Sequence, residues 1–168
     1  MKKILIISVL SVCINIIYAQ DKIIKLTGDT ISCRVSEITD DYVKYRYERE
    51  DVLNNISKNI IKEIVFISGR VQKFNELIII TGEDDWEKVH VTNLESDIKG
   101  LVKICEVNVK SNAVMSRDVG KQQQKAMEKL KREAAKKGAH IVLLLDEHTT
   151  TYRGAPSVAI SGILYKYK

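Results

Sequence analysis

Residues that staple or break a chain are scarce here: one proline and three cysteines in 168 residues. So few cysteines exclude a disulfide-built scaffold, in which several bridges stand in for a core. The lone Pro156 excludes a proline-rich linker or recognition tract. Histidine is also rare, and His90, His140 and His148 lack the spacing of a zinc motif. A formal net charge of +5 is too mild to call for nucleic acid or an anionic membrane surface. Glycine loops of the dinucleotide and P-loop kinds are missing, and so is a Gly-x-Ser-x-Gly elbow. Phosphate handling and esterase chemistry therefore have no motif support, and neither a cofactor nor a nucleic-acid partner is expected.

What is present begins with MKKILIISVLSVCINIIYAQ. Two lysines, an apolar run from Ile4 to Val12 and a small residue at Ala19 follow the three-part layout of a secretory signal. The stretch from Ile4 to Ala19 covers only 16 residues and is interrupted at Asn15, short of the roughly 20 apolar residues that span a bilayer. Residues 1–19 are therefore read as a signal peptide and the working chain as Gln20 onward, exported to the periplasm or cell surface. Leu10-Ser11-Val12-Cys13 has an apolar residue three before a cysteine, as a lipobox does, so attachment of a lipid at Cys13 stays open. Cys33 and Cys105 are then the remaining thiols, either bridged or each a buried small hydrophobe.

Charged residues make up 29% and apolar ones 45%, the balance of a folded domain. From Ile23 to Phe74 the pattern predicts strands at Ile23 to Leu26, Thr30 to Thr39, Tyr42 to Glu48, Ile60 to Phe66 and Val71 to Phe74. Gly28-Asp29, Asp40-Asp41 and Ser68-Gly69-Arg70 supply the turns. In the second strand the apolar phase slips at Glu37, which predicts a bulge. Five short strands in so short a stretch must curl to cover a core, which predicts a small five-stranded β-barrel or open sandwich over 20–75.

Residues 76–85 read as a connecting segment. After it, 86–168 predicts a β-β-α-β-β domain, with strands around Val89 and Val91, from Leu101 to Val109, from Ile141 to Leu145 and from Val158 to Tyr167. The helix between them is expected from about Arg117 to Lys137, capped by Ser116, with Asp118 at its positive end and Gly138 as its left-handed stop. Val119, Gln123, Ala126, Met127, Leu130 and Ala134 recur at helical spacing and are expected to lie on an antiparallel sheet. Tyr152 to Pro156 is expected to form a loop. The fold class is thus α+β.

Candidate chemistry is thin. A strand projects Asp146 and His148 to one side, and His90 on a neighbouring strand would complete a metal site; the competing reading is solvent-facing polar residues. Glu83-Asp84-Asp85 offers carboxylates for calcium but lacks the alternation of a calcium loop. The helix lysines, among them Lys121, Lys125 and Lys129, offer a basic face.

Two stretches carry resemblances. Leu26-x-Gly28-Asp29-x-Ile31, Val35, Asp41-x-Val43 and Val65-Phe66-Ile67-Ser68-Gly69 resemble the halves of an Sm-like small barrel. That implies shape only, because Lys44 follows Val43 where the Sm family places its RNA-binding asparagine. Lys131-Arg132-Glu133-Ala134-Ala135-x-x-Gly138-Ala139-His140-Ile141-Val142 is similar to the β-β-α-β-β domain of the Rcs stress-sensor lipoprotein type. No catalytic residue carries over from either. The expectation is a non-enzymatic envelope protein that binds another protein or a polysaccharide. An exported hydrolase or metal-dependent enzyme built from dispersed residues is the alternative.

Overall fold

The computed structural model describes residues 20–111, 118–152 and 155–167. They form two sheets and one long helix, an α+β architecture.

The first sheet contains β1 (Asp21–Lys25), β2 (Thr30–Ile38), β3 (Tyr42–Arg46), β4 (Asn54–Ser57), β5 (Ile61–Val65) and β6 (Val71–Lys73). Its order is β4-β3-β2-β1-β5-β6, antiparallel throughout. Alternation, with a register shift that skips Lys62 in β5, sends Ile23, Cys33, Val43, Tyr45, Ile56, Ile61 and Ile64 into one core. Burying such side chains contributes roughly 1.5–3 kcal/mol each. Gly28 and Gly69 take left-handed φ values of 92° and 82° in the turns, where a side chain would be strained.

This sheet corrects the five-stranded barrel. It has six strands, and β4 and β6 are its edges and share no ladder, so it does not close. The additional strand is β4, whose Asn54-Asn55-Ile56-Ser57 has no apolar alternation to announce it. Closure needs edge strands that run together, and these are only four and three residues long. The third strand also stops at Arg46, short of Glu48.

The second sheet contains β7 (His90–Thr92), β8 (Val102–Lys110), β9 (Ile141–Tyr152) and β10 (Ala155–Lys166), in the order β7-β9-β10-β8. The expectation of a purely antiparallel sheet is corrected at one edge, where β7 runs parallel to β9. The helix α1 (Val119–Lys136) covers one face. Its N-cap is Asp118, whose side chain accepts from the Gly120 and Lys121 amides; Ser116 and Arg117 lie outside the described residues. Gly138, at φ 67°, ends it as expected. The buried ridge is Gln122, Ala126, Leu130 and Ala134, joined by Ala135, whereas Val119 and Gln123 are exposed. A spacing of four residues keeps one line facing the sheet, and that line starts one residue away from Gln123.

The strands are longer than the apolar runs suggested. β9 and β10 reach Tyr152 and resume at Ala155, so most of the expected Tyr152 to Pro156 loop is ladder. In Ile141 to Leu145 only the first three residues are buried, because β7 flanks them, and Leu145 is 50% exposed.

The sheets meet at Ser57 to Ile60. The Asn59 amide donates to the Ser96 carbonyl at 2.7 Å, and Lys99 reaches Asp41 at 2.7 Å. Gly100, at φ 83°, lies where a Cβ would come within 2.9 Å of Ser57. The halves expected from the sequence therefore touch at defined residues. Among the described residues, no helix is long and apolar enough to cross a membrane.

Candidate functional site

Among the described residues, a cleft of about 720 Å³ opens where β2 bends. The first half of β2, Thr30 to Cys33, pairs with β1; the second half, from Arg34, pairs with β3. One strand serving two neighbours in succession must turn, and the expected bulge lies between Val35 and Glu37. Asp21 fixes this corner. Its buried carboxylate accepts the Val35 amide at one oxygen and the Ile67 amide at the other, both at 2.9 Å. The clamp joins the bend of β2 to the segment leaving β5.

The ladder places Arg34 directly opposite Arg46 at the cleft. Like charges facing across a ladder are unfavourable unless other groups engage them. Arg46 is so engaged, donating to the Ser36 hydroxyl at 2.9 Å and to the Asp51 carbonyl at 3.3 Å. A third arginine, Arg49, lines the same cleft with φ 64°, the sole left-handed non-glycine among the described residues. It is the third residue of a turn closed by the Glu50 amide on the Tyr47 carbonyl. Glycine or asparagine suits that position, and another L-residue there costs roughly 1–2 kcal/mol. Glu48, Glu50 and Asp51 share the rim, and Glu48 accepts from Gln20. Tyr47 packs edge-on against Tyr45, with ring centres 5.4 Å apart. The lining therefore mixes both charge signs with apolar and aromatic surface.

Cys33 is the one thiol there, and burial, with the Asp21 carboxylate second, pushes its pKa up to about 11. It stays a protonated thiol at neutral pH, and no histidine lines the cleft to serve it as base. Cys33 and Cys105 are both free thiols, one in each sheet's core region. Cys13 lies outside the described residues.

The proposed metal ligands separate into two places. His148 Nδ1 lies 3.3 Å from Asp146 Oδ2 on the exposed part of β9. His90 pairs in register with Ile141, five residues back along β9 from Asp146, a displacement of roughly 16 Å. Its neighbour is Asp97, at 3.9 Å. Among the described residues, no group of three or more His, Cys, Asp or Glu is placed to hold a metal ion. In the Glu83 to Asp85 turn, Lys88 and the Thr81 amide and hydroxyl already engage Asp85 and hold its carboxyl well below the usual range. On the helix, Arg132 bonds Glu128 at 2.9 Å and lies over the Trp86 ring, so part of the basic face braces the adjoining 3-10 turn.

Sequence reasoning missed the cleft. Arg34, Arg46 and Arg49 are far too common a residue type to stand out, and only the turn closed by Tyr47 and Glu50 reveals that Arg49 is strained. No family model matches the chain, and no curated protein or solved structure matches it either.

Proposed function

We propose that this chain is an exported, non-enzymatic binding protein of the bacterial envelope, and that the cleft at the bend of β2 receives part of another protein or of a surface polysaccharide. The observation that carries this reading is Arg49. An arginine held in a backbone conformation that favours glycine is best explained by a use for its side chain, and that side chain lines the cleft. A lining of both charge signs over Cys33, Val35 and Ile67 offers hydrogen bonds and an apolar floor, which suits an extended polymer better than a small ion. The protonated Cys33 thiol supports binding over turnover. Export rests on the pattern of residues 1–19, with a periplasmic or surface location and Cys13 as the candidate for a lipid anchor. In this reading the Sm-like pattern marks the shape of a ligand platform without an RNA role.

The alternative is metal-dependent hydrolysis, for which Asp146 beside His148 is the available pair. The deciding experiment titrates isotope-labelled protein, from Gln20 onward, with cell-wall glycan fragments and with an unfolded polypeptide, following backbone amide resonances. Shifts gathered at Arg34, Tyr47, Arg49 and Ile67, and lost in Arg46→Ala, are expected. Stoichiometric zinc with shifts centred on Asp146 and His148 would overturn the proposal, as would the absence of any shift.

A further inference from the structure

We infer that the outer edge of β9, from Asp146 to Tyr152, is a self-association surface that pairs antiparallel with the same strand of a second copy. The inference does not depend on the cleft. Parallel strand β7 is only three residues long and pairs with Ile141, Val142 and Leu143 alone. Beyond it β9 continues for nine residues, held on its inner side by β10. Among the described residues, no other backbone bonds its outer side. An edge strand alternately turns N–H and C=O groups outward, so this stretch presents a ready row of pairing groups.

Edges that must stay single are usually short or protected by charges, lysine above all, by proline or by a bulge; here the bulge and the carboxylates lie at one end, at Leu145, Asp146 and Glu147, and Thr149 to Thr151 carry no charge. The edge strands β4 and β6 are four and three residues long, and β8 carries Lys103 and Lys110. The Asp146 to Tyr152 stretch has neither lysine nor proline, and Asp146 to Thr151 are exposed. A bulge at Leu145 marks where the regular stretch begins.

The sequence of this stretch selects the partner. Its first half, Asp146-Glu147-His148, offers carboxylates and an imidazole; its second half, Thr150-Thr151-Tyr152, is hydroxyl-bearing. Antiparallel self-pairing about Thr149 sets His148 opposite Thr150, Glu147 opposite Thr151 and Asp146 opposite Tyr152. Glu147 and His148 then each face a threonine. A parallel pair in register would set Asp146 on Asp146 and Glu147 on Glu147, and an antiparallel pair centred on Glu147 would set that carboxylate against itself. Both oppose like charges. Of these three pairings, the complementarity belongs to an antiparallel second copy centred on Thr149. Seven residues of ladder bury less than a standard interface, so the dimer forms reversibly with concentration.

The test uses the protein from Gln20 onward. Sedimentation should show the weight-average mass rising toward twofold with concentration. Under mild oxidation Thr149→Cys should cross-link to itself, because self-opposed Cα atoms lie roughly 4.5–5.5 Å apart. Thr151→Cys should cross-link no more than wild type, since its two copies stand four residues apart, roughly 13 Å and beyond disulfide reach. Two surface charge variants keep the inference falsifiable if the cysteine variants misfold. Thr151→Lys, opposite Glu147, should tighten the dimer about fivefold, and Thr151→Glu should loosen it by a similar factor. Equal cross-linking of both cysteine variants would overturn the inference, as would a constant monomer mass or the same response to both charge variants. A monomer whose β9 captures only a foreign peptide would overturn it too.

Discussion

Replacing Asp21 should open the first sheet at its bend. The carboxylate is buried and accepts two backbone amides, Val35 and Ile67, at 2.9 Å each. Hydrogen bonds to a charged group contribute roughly 1.5–3 kcal/mol each, and a buried amide left without its acceptor costs about as much. Asp21→Ala should therefore lose about 3 kcal/mol, the low end of two such bonds, because water reaches part of the corner. Asp21→Asn is the sharper variant. Its one carbonyl oxygen satisfies one amide, while its NH2 group turns a donor toward the other donor, so it should recover little. With a urea m-value of about 2 kcal/mol/M, both variants should shift the unfolding midpoint down by about 1.5 M. The assay is urea unfolding followed by near-ultraviolet circular dichroism from Tyr45 and Tyr47, beside the bend. An Asp21→Asn midpoint within about 0.3 M of wild type, equivalent to about 0.6 kcal/mol, would refute the clamp.

Arg49→Gly should separate binding from stability: thermal denaturation should show stability unchanged or raised by up to about 1 kcal/mol as left-handed strain is relieved, while ligand shifts at the cleft are lost. Gly162→Ala places a Cβ 2.8 Å from Val142 and 3.0 Å from the Leu143 carbonyl oxygen. Such overpacking costs roughly 1–3 kcal/mol, so calorimetry should show Tm lower by about 3 to 9 °C. His140 has its pKa held below the ordinary value, first by burial and further by Lys166, against an opposing hydrogen bond with the Ile78 backbone. Below pH about 6.5 the unfolded chain takes up a proton that the folded one resists, so this histidine removes stability as pH falls from there toward its folded value. Denaturant midpoints of His140→Gln should lack that contribution, whose slope is at most about 1.4 kcal/mol per pH unit.

Local signals stood out wherever one residue type has one structural use. Gly138 ends the helix with φ 67° because an L side chain is strained there, and the phase slip at Glu37 marks a bulge because alternation tolerates no other insertion. Long-range pairing left no such mark. β4 owes its strand state to the neighbouring β3 ladder, from Tyr42 opposite Ser57 to Tyr45 opposite Asn54, and not to its own polar residues. The parallel union of β7 with β9 is three residues long and joins segments some fifty positions apart. The buried helix ridge starts at Gln122 and not at Gln123, a choice of phase set by the sheet below, since the two glutamines have the same intrinsic preference.

The candidate surfaces were hidden for a related reason: both depend on backbone geometry and use ordinary side chains. Asp21 lies two residues before the strand expected from Ile23, and nothing in the sequence marks it until the bend of β2 brings two amides to it. Arg49 reads as one of many charged residues between Tyr47 and Asp51 until the turn sets its φ at 64°. Thr149 to Thr151 fall between the expected strand and the expected loop, and only the three-residue length of β7 shows that their outer edge is uncovered. For Asp146, His148 and His90 the order was reversed, because metal-binding residue types drew notice before their positions were known. The parallel register puts His90 beside Ile141, so only Asp146 and His148 remain together, and on the free part of β9 they serve a pairing edge better than a metal.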